Sequence, residues 1–87
     1  MKISKVIINK KVKEKILYKH TIRSFEIRDI LLDNPYILKT RDGRYIAMGF
    51  SQRYITIIFE LKDDIVYIIT AYPSSDAQRK LYKHKKR

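Results

Sequence analysis

The residues able to carry chemistry are few in kind, and their spacing narrows what that chemistry is. The two histidines stand at positions 20 and 84, cysteine is absent, and the nine acidic residues are scattered, mostly among turns and helix starts. A hydrolytic metal site needs clustered His, Cys or carboxylate ligands, so no metal centre is expected. No serine falls on a recognisable strand-to-helix elbow of the kind that presents a nucleophile to an oxyanion hole. Gly43 and Gly49 are the only glycines, too few for a Gly-rich phosphate loop, and no cofactor is expected. What the chain holds in quantity is 20 Lys and Arg and seven Tyr. Those types suit cleavage of RNA without metal, because the 2′-hydroxyl is the nucleophile and the protein need only orient the phosphate, stabilise its developing charge and move protons. Arg44, at the head of an aromatic strand, is the candidate for the phosphate, with His20 or Tyr72 for a proton. Lys19, Arg79, Lys80 and Lys83 are the candidates for the RNA backbone. Plainer readings stand beside these: His20 as a cation at a helix C-terminus, Tyr72 as a half-buried phenol, Arg44 as a flank of its turn; Arg53 reads as a solvated hairpin tip.

The 87 residues and the 45% hydrophobic content fit a single folded domain, 1–87, rather than a multidomain enzyme or a disordered tail. A core of this size is modest, which makes oligomerisation, including a homodimer, compatible with the sequence. The absence of cysteine suits a reducing cytoplasm. No run of about 18 apolar residues and no signal-peptide h-region is present, so a soluble cytoplasmic protein without membrane contact is expected.

Net charge is +11 and the pI near 10.0, which favours an anionic partner, nucleic acid first. Residues 1–20 carry seven Lys against one Glu and residues 74–87 six Lys or Arg against one Asp, while the stretch between is balanced. The whole excess therefore sits at the two ends. If the terminal elements lie side by side they form one cationic patch.

These candidates need elements to position them. Ile3 to Ile8 reads as a short edge strand, with Lys2 and Lys5 marking the edge. Val12, Ile16 and Leu17 among lysines predict a basic helix over 10–20. A second helix is predicted over 24–33, with Ile27, Ile30 and Leu31 inward, stopped by Asn34-Pro35. An extended connection leads to Asp42-Gly43, then strands at about 44–50, 54–61 and 65–72 are joined by loops short enough only for antiparallel hairpins. Ser74 or Ser75 is expected to cap a last, basic helix anchored by Ala77, Leu81 and Tyr82.

A hairpin centred on Gln52-Arg53 would pair Phe50 with Ile55, and a turn at Asp63-Asp64 would pair Leu61 with Val66. One face then reads Ile46, Met48, Phe50, Ile55, Ile57, Phe59, Leu61, Val66 and Ile68 and is the expected core, without a bulge. The other face holds Tyr45, Ala47, Gly49, Tyr67 and Ala71 around Glu60, and its small residues are one place where another chain would be received.

The strings "YKHTIRSFEIRDILLDNP", "RDGRYIAMGFSQRYITIIFEL" and "VYIITAYPSSDAQRKLY", in that order and spacing, resemble the BrnT-type toxins of the RelE superfamily and their uncharacterised small-domain relatives. The resemblance runs from about Lys13 to Tyr82. It implies a compact RelE-like α+β fold with an antiparallel sheet, two N-terminal helices and a C-terminal basic helix. It also implies a metal-free endoribonuclease toxin of a type II toxin-antitoxin system, acting on free or ribosome-associated RNA to inhibit translation and neutralised by a co-transcribed, acidic antitoxin. Lys19 and His20 match the family's Lys-His, and Arg44 its Arg before the aromatic strand. Tyr72 stands where the family usually has Arg, and Gln78 where it has an acidic residue. The alternatives are a nucleic-acid-binding module that does not cleave and a protein-partner domain whose mixed sheet face receives another chain.

Overall fold

The computed structural model describes residues 2–85; Lys86 and Arg87 of the basic C-terminal run lie outside them. Along the chain come β1 (Lys5–Ile7), α1 (Lys10–His20), α2 (Ser24–Leu32), β2 (Tyr36–Lys39), β3 (Tyr45–Phe50), β4 (Tyr54–Lys62), β5 (Ile65–Pro73) and α3 (Asp76–Lys85). The strands form one sheet in the order β1-β5-β4-β3-β2. The α+β architecture is the expected one, with two differences in the sheet. The segment read as an extended connection after Pro35 is a paired edge strand, β2, closed onto β3 by a turn in which Thr40 N–H donates to the Arg44 carbonyl at 2.7 Å. The sheet is antiparallel from β2 to β5, but β1 pairs parallel to β5, Lys5 beside Ile65 and Ile7 beside Tyr67. A parallel neighbour needs a long crossover, and everything from α1 to β4 lies between these two strands.

Local chemistry fixes the helix ends. Asn9 caps α1 by accepting from Lys11 N–H at 2.8 Å, and Thr21 closes it in the left-handed region at φ 56°. Ser75, of the two candidate serines, caps α3: its Oγ accepts from Gln78 N–H at 3.2 Å while Gln78 Oε1 accepts from Ser75 N–H at 2.9 Å. That is a reciprocal capping box.

The expected register fails in β3. Phe50 pairs with Tyr54, not Ile55, because Ser51-Gln52-Arg53 is a three-residue loop with Gln52 at φ 64°. A slip of one residue sends every side chain of a strand to the opposite face. Tyr45, Ala47 and Gly49 therefore point with Ile55, Ile57 and Phe59 toward α1 and α2, while Ile46, Met48 and Phe50 point the other way. Phe50 is 54% exposed, not a core residue. The small residues are where they are needed: a Cβ on Gly49 would come within 2.6 Å of Ile30 Cγ2. The β4–β5 turn at Asp63-Asp64 is as expected, but a bulge shifts the register between Ile58 and Phe59. Ile69 has no cross-strand partner, and Ala71 turns inward opposite Ile57. Ala47, Gly49 and Ala71 are buried in this layer, so the idea that they receive another chain is corrected: this chain's own helices occupy their side.

The core lies between the sheet and α1/α2, where Ile16, Ile22, Ile27, Ile30 and Leu31 meet Ile55, Ile57, Phe59, Val66 and Ile68. The helix α3 crosses the opposite sheet face and covers Met48 and Thr56.

Candidate nucleic-acid interface

No residue of α3 is fully buried, and polar bonds join the half-buried side chains in holding it to the sheet. Thr56, fully buried on β4, donates its hydroxyl to Gln78 Oε1 at 3.0 Å and is itself 2.7 Å from Ser74 Oγ. Gln78 Nε2 donates to the Tyr72 hydroxyl at 3.1 Å. Aromatic contacts continue the seam: Tyr82 meets Tyr54 edge-on at 6.1 Å, and Lys83 Nζ lies 5.2 Å from the centre of the Tyr54 ring. Ala77 is exposed and does not anchor the helix as expected; Gln78, Leu81 and Tyr82 are its half-buried positions. Arg79 pairs with Asp76 one turn earlier, and Lys80 is exposed. Tyr72 and Gln78, the two positions that depart from the family pattern, are thus bonded to each other.

Beyond α3 the same face stays open. Ile46, Ile58 and Thr70 are half-buried, and past them comes a row of three cross-strand neighbours, Arg44, Glu60 and Tyr67. Arg44 Nε lies 3.7 Å from Glu60 Oε1 and 4.0 Å from Asp42 Oδ2. The Asp42 carboxyl is held below its ordinary range by the Thr40 hydroxyl and by the Arg44 N–H, so it stays an anion beside the guanidinium. Tyr67 is directly opposite Glu60 and 38% exposed.

His20 and Lys19 are elsewhere. Both close α1, on the helical side of the sheet, and Lys19 is exposed. The His20 carbonyl accepts from Arg53 Nη1 at 3.2 Å, which places it at the Ser51–Arg53 end, whereas Arg44 heads β3 at the other end. Six residues of strand separate the ends, about 20 Å. Tyr72 shares the Arg44 face, but its row (Thr56) is four residues along β4 from the Arg44 row (Glu60), about 13 Å. Arg44, Tyr72, Arg79, Lys80 and Lys83 therefore face one side, spread along it, and His20 and Lys19 are not among them.

The two lysine-rich ends do not merge. The α1 lysines stand over the helical layer and the α3 cations over the opposite face, so the expected single patch is two, with the sheet between them. The order of strands causes this: α1 returns over the core face, and Pro73 delivers the chain to the other.

Arg53, read as a solvated hairpin tip, is the missed residue. Its guanidinium donates to both Glu26 oxygens at 3.2 Å and to the carbonyls of His20 and Thr21. Glu26, 3% exposed, also accepts from Arg23 N–H at 2.8 Å. Burial pushes the Glu26 carboxyl upward, but the Arg53 and Arg23 hydrogen bonds with the arginine charge outweigh it and leave it below its ordinary range. The only sequence signal was Glu26 at the third position of a helix that otherwise lacks a capping side chain.

Among the described residues no group of three or more His, Cys, Asp or Glu stands together to hold a metal, and no helix is long and apolar enough to cross a membrane. No protein-family model and no curated protein sequence matches the chain. A solved structure does: the ribonuclease toxin BrnT of Brucella abortus superposes with a TM-score of 0.69 over 83% of this chain and 97% of that one, at 18% sequence identity. At that identity the likeness is one of fold, and the fold is the one the sequence resemblance implied.

Proposed function

We propose that this chain is a metal-free endoribonuclease toxin that binds RNA across the α3-side sheet face and is held in check by an acidic antitoxin protein. The observation that carries the reading is the uncovered stretch of sheet between the basic helix α3 and Arg44, in a fold shared with a ribonuclease toxin. A single strand laid along this face meets Lys80 and Lys83 at one end and Arg44 at the other, with Tyr67 available for stacking. In the reaction the 2′-oxygen bonds to the adjacent phosphorus as its proton passes to water, and the P–O5′ bond breaks with the 5′-oxygen taking a proton from water, giving a 2′,3′-cyclic phosphate and a 5′-hydroxyl. Arg44 supplies the positive charge that the crowded phosphorane requires. The antitoxin would cover the same cationic face, where its negative charge competes with phosphate.

A second reading, binding without cleavage, is favoured by the distance of His20 and Tyr72 from Arg44. Purified protein incubated with a structured messenger RNA separates the two. Arg44→Ala is expected to lower the cleavage rate by about 100-fold, the usual cost of one transition-state donor, with a much smaller loss of RNA affinity. RNA that is bound but left intact by the unmodified protein would establish the second reading.

A further inference from the structure

The row of Arg44, Glu60 and Tyr67 poses a question that RNA binding alone does not answer. A carboxylate on a face that attracts a polyanion repels it, yet Glu60 stands at the Arg44 end of this one, 57% exposed and 3.7 Å from the Arg44 guanidinium. The cleft it lines, between Asp42, Arg44, Glu60, Lys62 and Tyr67, measures about 610 Å3, within the range that takes a small ligand. We infer that this cleft is a nucleobase pocket selecting guanine, beside the phosphate held by Arg44.

The chemistry follows from what each side chain offers. A carboxylate only accepts hydrogen bonds. Guanine alone among the four bases carries two adjacent donors on its Watson–Crick edge, N1–H and the N2 amino group, which both oxygens of Glu60 can engage together. Adenine and cytosine set a ring acceptor beside their amino group, and uracil flanks its one N–H with two carbonyls, so each brings an acceptor against the carboxylate. Tyr67 stands one strand away, opposite Glu60 and partly exposed, as an aromatic on which an unstacked base can lie. The Arg44 guanidinium, 3.7 Å from Glu60, stands between that carboxylate and the incoming phosphate and offsets their repulsion.

This assignment rests on the α3-side face being the RNA surface, and its test keeps the two apart. The full chain is titrated with 3′-GMP, 3′-AMP, 3′-CMP and 3′-UMP while the Tyr67 ring and neighbouring amide signals are followed by NMR. Guanosine monophosphate should bind about tenfold more tightly than the others, as one bidentate base contact allows. Glu60→Gln should bring it level with adenosine monophosphate, and Tyr67→Leu should weaken all four. Equal affinity for the four nucleotides, a guanine preference that survives Glu60→Gln, or shifts confined to other parts of the molecule would overturn the pocket. RNA cut without regard to guanine overturns it while leaving the nuclease reading intact; guanine preference in a protein that leaves RNA whole does the reverse.

Discussion

Arg53 and Glu26 show how much one pair of side chains can decide. The guanidinium ties the β3–β4 hairpin to the end of α1 and the start of α2, and without it a carboxylate 3% exposed keeps only the Arg23 N–H. Arg53→Ala should therefore cost about 2 kcal/mol in urea unfolding, because it strands the buried Glu26 carboxylate while the guanidinium itself is partly exposed. The pH dependence has a definite sign. Because the folded carboxyl of Glu26 lies below its ordinary value, its contribution is complete above the unfolded carboxylate range, near pH 4 to 5, and is lost as pH falls through the folded value. In Arg53→Ala, burial without the arginine moves that carboxyl upward, so acid unfolding should begin at higher pH than in the unmodified protein. None of this was legible beforehand: the partners are 27 residues apart, and a hairpin tip is ordinarily wet. Arg44 stood out because it heads a strand, and it lies at the open end of the α3-side face. His20 and Tyr72 were given a common site with it by residue type, and His20 also by the Lys-His resemblance; neither carries information about which end of a sheet a residue occupies.

The elements themselves were easier to read than their orientation. Helical spacing of Val12 and Ile16, and the stripe of Ile27, Ile30 and Leu31, placed α1 and α2 within a residue of their observed ends. Asp63-Asp64 marked a tight turn, and both residues do sit at positive φ, 53° and 65°. An aspartate there is strained where glycine is not, so Asp64→Gly should stabilise the hairpin by about 1 kcal/mol, read as a higher urea midpoint. The orientation of β3 went astray because alternation of Ile46, Met48 and Phe50 looks more core-like than Tyr45, Ala47 and Gly49. Hydrophobicity favoured the large side chains, whereas space under α2 favoured the small ones. The close approach at Gly49 checks this: Gly49→Ala should cost about 2 kcal/mol by overpacking against Ile30. Ile30→Ala in the same chain should return part of that loss, a coupling that a double-mutant cycle measures.

At the scale of the molecule, the charge excess is divided between two faces, and only one of them has an open sheet. Single-stranded RNA binding should weaken steeply with salt, by roughly 0.7 in log affinity per log unit of salt for each phosphate engaged. Charge reversal at Lys80 and Lys83 should flatten that slope, while reversal at Lys13 and Lys15 on α1 should leave it nearly unchanged; equal effects from both helices would mean that RNA wraps the sheet edge. The pairing of β1 with β5 reaches further than packing. The first strand finds its only neighbour some 60 positions later, so a nascent chain still threaded through the ribosome has no place to seat its opening segment. Any product released early, by a stop codon or a break in its own message ahead of Pro73, would lack a finished scaffold. The sheet, and with it the open face beside α3, exists only after β5 has been synthesised.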